Sequence, residues 1–442
     1  MKRDLIEYLE TWKDNSERKP LLLKGARQVG KSYLAKEMGK KFENFVEINF
    51  EFKPGLNTLF KRDLDPKRIV RDLSIVTGED IVPGKTLLFL DEIQECPEAV
   101  NSLRYFHEKM PGLHVIAAGS LLDFVLEEIG LPVGRVMPLY LYPLSFMEFL
   151  SALGKERLRD EIINHNPLEE VPEFFHEQLL NLLGEYMAVG GMPEAVKAWV
   201  ETGNLNRCIM VHQLLIETYR QDFVKYAREK DRKYVEMVFD SIPRLSGNKF
   251  VFNAVSPHVR GRELRPALEL LSKAGIAHII RHSSANGLPL GSEINPLAFK
   301  VIFLDVALAQ SVLGLDYGTW ILDPVQSFVN QGTVTEAFVG QELLAYSPVF
   351  KKSELYYWVR EKHGSMAEVD YVTGINGKVV PIEVKSGVTG SLKSIHLFLR
   401  QKKNSPYGLQ FSRRNYFMSE TIRQCPLYAI STALNKEYGN QD

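Results

Sequence analysis

Gly25-Ala-Arg-Gln-Val-Gly-Lys31-Ser32 constrains this chain more than any other segment. It follows the apolar run Leu21-Leu22-Leu23, which reads as a buried strand, and precedes Tyr33-Leu34-Ala35-Lys36, which reads as a helix start. Strand, glycine-rich turn and helix form the context that a phosphate-binding loop requires. Backbone N–H groups of such a turn face the phosphates, and the helix N-terminus adds positive potential. Gly25, Ala26, Arg27, Gln28, Val29 and Gly30 would form the cradle. Lys31 would reach the β- and γ-phosphates, and Ser32 would hold Mg²⁺. ATP and Mg²⁺ are the expected ligands.

Two acids strengthen this reading. Leu87-Leu88-Phe89-Leu90 is an apolar run ending in Asp91-Glu92. Such a run fits a parallel strand buried on both faces, with the acids at its C-terminal edge. Ligands bind at that edge in open α/β sheets. Asp91 would hold Mg²⁺ and Glu92 would polarise an attacking water. A third short run, Val115-Ile116-Ala117-Ala118, leads to Gly119-Ser120. Ser120 is placed to sense the γ-phosphate or orient water, to cap the helix that follows, or both, since a capping side chain still sits at the crevice. Gln94 is a candidate relay. Arg27 and Arg135 are candidates for neutralising transition-state charge, in cis or from a neighbouring copy. A surface or structural ion pair is the alternative for each.

With 442 residues, the chain exceeds one ordinary core. We expect an ATP-binding domain over 1–150, a helical region over 151–240, a winged-helix-like region over 241–315 and a last domain with its tail over 316–442. Net charge is -1, so global charge gives no support for nucleic-acid binding. Cys96, Cys208 and Cys425 are far apart and form neither a metal spacing nor a disulfide framework. The charged N-terminus lacks a signal-peptide core, and no segment approaches a membrane span. The expectation is a cytoplasmic protein with no membrane partner.

Beyond residue 143 the signals change. Ser145 and Glu148 have capping-box spacing for a helix at Phe146. Gly190-Gly191-Met192-Pro193 ends one helix and starts another. Near Tyr219, Arg220 and Asp222 either contact the first domain or bridge helices. Leu264 to Gly275 followed by Ile276-Ala277-His278-Ile279-Ile280 reads as helix then hairpin, with Arg260, Arg262 and Arg265 as a basic edge. That pattern fits a winged helix, which contacts either DNA or protein. Farther on, Asp370 falls on one expected strand. Glu383 and Lys385, two residues apart on the next, share a face. Glu336 or Glu342 would arrive from a helix over 333–345. An aspartate, a glutamate and a lysine on adjoining strands resemble the restriction-endonuclease-like core. There Asp370 and Glu383 would bind metal and Lys385 would act beside the hydrolytic water. A solvated strand face is the alternative.

Taken together, Gly25–Ser32, Leu90-Asp-Glu-Ile-Gln94, Ala118-Gly-Ser-Leu121, Pro143-Leu-Ser-Phe146, Gly190-Gly-Met-Pro193, Phe299–Asp305 and Ile382-Glu-Val-Lys-Ser386 resemble the AAA-type P-loop ATPases that carry a C-terminal domain of unknown function numbered 4143. The resemblance puts the ATPase portion at about 18–150 and the second domain at about 185–390. It implies an α/β P-loop ATPase portion and a nuclease-like C-terminal fold. With the helical and winged-helix readings of the residues above, the expected order is an α/β P-loop fold, helical and winged-helix parts, then a restriction-endonuclease-like α/β domain. It implies ATP binding and hydrolysis through Lys31, Ser32, Asp91 and Glu92. Ser32 stands where many members have threonine. Homo-oligomers that borrow a neighbour's arginine are common among such relatives.

Three functions follow as expectations. The first is a Mg²⁺-dependent ATPase acting as a conformational switch or remodeller of an unidentified protein partner. The second couples ATP to DNA binding or processing through the nuclease-like domain. The third is a nucleotide-dependent binding module with negligible hydrolysis.

Overall fold

The computed structural model describes residues 1–130, 134–314, 332–360, 367–387 and 391–435. Its first sheet contains β1 (Leu21–Lys24), β2 (Asn44–Asn49), β3 (Thr86–Asp91), β4 (His114–Ala118) and β5 (Met137–Tyr140), in the order β2-β3-β4-β1-β5. Every pairing in it is parallel. The strands read as apolar runs because both faces are covered. Alternate residues point to opposite sides of a strand. Leu21, Leu23, Phe89 and Ile116 therefore join one core, and Leu22, Leu88, Leu90 and Val115 join another. The first core takes in Leu34, Ala35 and Met38 of the helix Lys31–Gly39. The second takes in helices Pro66–Thr77 and Pro97–Lys109.

Helices then dominate, from Phe146–Ala152 through Glu173–Val189, Pro193–Thr202 and Leu205–Tyr226 to Arg232–Leu245. Helix Gly261–Lys273 leads into the antiparallel hairpin β6 (Ala277–Ser283) and β7 (Ile294–Phe303), in the order expected of a winged helix. The hairpin does not stand free as a wing. β6 pairs in parallel with β8 (Leu355–Val359), so both strands belong to the second sheet. That sheet adds β9 (Glu368–Ile375), β10 (Lys378–Val384), β11 (Gly408–Ser412), β12 (Phe417–Met418) and β13 (Ile422–Pro426), in the order β12-β13-β11-β10-β9-β8-β6-β7. Sequence distance hid this arrangement, because register is set by pairing partners far along the chain. The boundary expected at 315/316 and the tail from 436 lie outside the described residues.

β9 and β10 are joined at Asn376-Gly377, both with positive φ, 48° and 75°. Two such residues match the twist of the flanking strands. One buried cluster runs from Leu5 to Ala433, so the first sheet and the second share a core.

Candidate functional site

The glycine-rich loop leaves β1 at the C-terminal edge of the first sheet. Gly25 has φ 151° and Gly30 φ 96°. A Cβ on Gly25 would run into the Leu141 carbonyl oxygen, so only glycine fits that turn. Gln28 is also left-handed, with φ 68°. Lys31 opens the following helix and folds back, donating to the carbonyl oxygens of Gly25 (3.0 Å) and Ala26 (2.8 Å). Its side chain is buried, and burial pulls its pKa down to about 8 against the pull of Glu92 and Asp91.

Ser32 donates to Asp91, with Oγ 2.9 Å from Oδ2 and 3.1 Å from Oδ1. β4 stands between β1 and β3, so this contact spans an intervening strand. Asn49 Nδ2 lies 3.3 Å from Asp91 Oδ2, from the position opposite Asp91 on β2. Burial pushes the Asp91 carboxyl up. Glu92 takes a left-handed backbone, φ 49° and ψ 44°, and accepts from Gln94 Nε2 at 2.6 Å. Gln94 packs against the end of β4, where a Cβ on Gly119 would collide with its Oε1. Ser120 is buried and lines a cleft with Gly25, Ala26 and His278. It does not cap the next helix, Leu122–Ile129, which has no side-chain cap. Asp123 in that helix instead pairs with Lys24. The hydroxyl and carboxylate oxygens of Ser32 and Asp91, with Asn49 beside them, are the hard donors that Mg²⁺ takes.

The two candidate arginines part company. Arg27 stays at the loop, 2.7 Å from Asp222 on helix Leu205–Tyr226 and 3.8 Å from Glu51. Arg135 precedes β5, whose Met137 is level with Leu21 at the start of β1. It therefore stands at the opposite sheet edge from the loop, roughly 13 Å of strand away, bonded to Glu108 at 2.9 Å. This geometry corrects the expectation that Arg135 serves its own chain's loop, because parallel strands put their two ends at opposite edges.

Residues missed in the sequence hold the loop from behind. Arg3 donates to Val29 O (3.0 Å), Tyr142 O (2.8 Å) and Glu148 Oε1 (3.0 Å). Glu148 also closes the expected capping box with Ser145. Gly191 N donates to Asp305 (2.7 Å), and Leu144 N donates to Gly191 O (2.7 Å). Pro193 lies next to Gly30. Asn49 and Arg3 carried no local signal, and Asp305 ended a family-like segment that did not reveal its partner Gly191, 114 residues away.

A second constellation forms in the other sheet. Asp370 interacts electrostatically with both Glu383 and Glu336, whereas Glu342 lies elsewhere. Glu342 accepts instead from Phe146 N (3.1 Å) at the start of helix Phe146–Ala152. Burial and Asp370 push the Glu383 carboxyl up to about 7 and that of Glu336 up to about 8. Lys385 lies 2.5 Å from Glu383, and Asp370 accepts from Val384 N at 2.7 Å. Lys300, unremarked as a site residue in the sequence, is buried between Glu336 (2.8 Å) and Glu368. Burial disfavours its charge, but the two glutamates outweigh that and raise its pKa. Among the described residues, no group of three or more His, Cys, Asp or Glu side chains is placed to hold a metal ion. No described helix is long and apolar enough to cross a membrane.

Comparison with known proteins matches an AAA domain over residues 17–150 and domains of unknown function, DUF8612 over 180–318 and DUF4143 over 331–430. The DUF4143 part therefore begins well after residue 185, and a separate domain occupies most of the interval. No curated protein matches. Among solved structures, the chain is similar to the Walker-type ATPase of Pyrococcus abyssi at 18% identity and TM-score 0.44, over 71% of this chain and 95% of that one. It is also similar to the RuvB Holliday junction branch migration motor of Thermotoga maritima at 15% identity and TM-score 0.29, over 63% and 89%.

Proposed function

For a chain that carries an AAA-type P-loop ATPase domain and a DUF4143 domain, we propose Mg²⁺-dependent ATP hydrolysis used as a conformational switch. The observation that carries this reading is the meeting of Ser32 with Asp91, with Lys31 and Glu92 beside them. The loop N–H groups and the Lys31 ammonium bind the phosphates. Ser32 and Asp91 would hold Mg²⁺, which supplies charge neutralisation at the phosphate oxygens when bound. Glu92 orients water, and Gln94 holds the Glu92 carboxylate in place. Ser120 lies at the same sheet edge, where it can sense the terminal phosphate.

The test is phosphate release with and without Mg²⁺, duplex DNA and single-stranded DNA, with Lys31→Ala and Glu92→Gln as controls. Mg²⁺-dependent turnover lost in both variants supports the reading. No turnover above the variants, despite ATP binding, leaves a binding module instead.

A second reading, ATP-coupled DNA processing, is favoured by one observation. Asp370, Glu383 and Lys385 share one end of β9 and β10, with Glu336 beside them. It predicts DNA nicking that Asp370→Asn removes and Lys31→Ala uncouples from ATP. Intact DNA at every Mg²⁺ concentration would exclude it.

A further inference from the structure

Three contacts bind the middle of the chain to the phosphate loop. Tyr219 donates its hydroxyl to the Arg27 carbonyl oxygen at 2.8 Å. Asp222, one turn on in the same helix Leu205–Tyr226, accepts from Arg27 Nη1 at 2.7 Å. Gly275, after helix Gly261–Lys273, packs so closely that a Cβ there would lie 3.2 Å from Ala26 N. A fourth link is indirect: Lys225 bonds Glu51 at 3.0 Å, and Glu51 also faces Arg27. The Asp222 side chain is 9% exposed and that of Arg27 27%, so solvent screens their pair only partly.

Arg27 therefore has two claimants. Its charge interacts with Glu92, as does that of Lys31. Arg27 is itself a residue of the phosphate loop, so a terminal phosphate bound there would compete for its guanidinium. A phosphate oxygen makes a strong, bidentate partner for arginine. Triphosphate carries one phosphate group more than diphosphate, and the γ-phosphate is the partner only the former brings.

We propose that Asp222 is a positioning residue that competes with the γ-phosphate for Arg27, so that ATP, but not ADP, loosens helix Leu205–Tyr226 from the phosphate loop. The proposal rests on the ATP-binding reading above. It gives the switch an address: the middle region reads the nucleotide through one guanidinium. A ligand shifts such an equilibrium only through differential contact with its two states. Linkage then requires the reverse effect, in which release of Asp222 strengthens ATP binding.

The experiment measures ATP and ADP affinity of the full chain by displacement of a fluorescent nucleotide, for wild type, Asp222→Asn, Tyr219→Phe, Arg27→Gln and the Arg27→Gln/Asp222→Asn double variant. Asp222→Asn nearly preserves shape and still accepts a hydrogen bond. The expected result is an ATP-over-ADP preference raised about tenfold in Asp222→Asn, raised less in Tyr219→Phe, and unchanged by Asp222→Asn when Arg27 is already Gln. Equal shifts for both nucleotides, or the same Asp222 effect without Arg27, would overturn the proposal. Should Asp222→Asn not fold, an unchanged preference in Tyr219→Phe together with one in Arg27→Gln would do so. Wild type that binds neither nucleotide removes the underlying ATP reading, and this inference with it.

Discussion

Ser32 Oγ sits 2.9 Å from Asp91 Oδ2, although 59 residues separate them and β4 stands between β1, which leads to the Ser32 helix, and β3, which ends in Asp91. The contact exists because β1 and β3 run the same way and end at the same sheet edge. It joins the loop to the acids, so each member can be removed with a separate consequence.

Glu92→Gln should keep ATP binding and lower turnover by about 10²- to 10⁴-fold, the usual scale for losing a positioned base. Lys31→Ala should lose binding itself. Nucleotide titration alongside phosphate release separates the two, and equal loss of binding in both would refute the assigned roles.

The buried Lys31 ammonium, with its pKa drawn down to about 8, sets a pH limit. On the proposed function the ammonium would bind phosphate, and deprotonation would remove that contact. kcat/KM for ATP, which reports the free protein, should be level below about pH 8 and fall about tenfold per pH unit above it. A flat profile to pH 10 would contradict this.

Glu383 carries the opposite kind of shift, from 4.5 to about 7, because burial and Asp370 disfavour its charge. The folded chain then binds more protons than the unfolded one between those pH values. This contribution is full below pH 4.5 and is lost as pH rises through about 7. Glu383→Gln should raise stability at pH 8 by up to about 3 kcal/mol, and not at pH 4. Melting curves at both pH values check the sign.

Gly191 has no room for a side chain. A Cβ would meet the Leu144 carbonyl oxygen and lie 3.0 Å from Pro143 Cβ. Gly191→Ala should cost about 1 to 3 kcal/mol by overpacking. Because Pro193 abuts Gly30, ATP affinity should fall as well. A stable variant with native affinity would show the junction to be slack.

Arg135→Ala should leave ATP turnover unchanged at protein concentrations where the chain is monomeric, since Arg135 faces Glu108 at the far sheet edge. A large loss of kcat there would put a catalytic arginine where the fold does not.

The sequence by itself determined the elements whose signals are local. The loop from Gly25 to Ser32 needed only its glycines and its flanking strand and helix. The runs before Asp91 and Ser120 needed only their apolar character, and the Ser145–Glu148 box only its spacing. Tertiary structure decided whatever depends on strand order and distant packing. It put Asn49 beside Asp91, Arg3 under Val29, Asp222 on Arg27 and Lys300 among the acids of the second sheet. It put Arg135 at the sheet edge away from its own chain's loop and joined the β6–β7 hairpin to β8. The physical reason is the same in each case. A cap or a turn is settled by neighbours within a few residues. A buried charge takes whichever partner folding brings to it, and chain spacing carries no record of that choice.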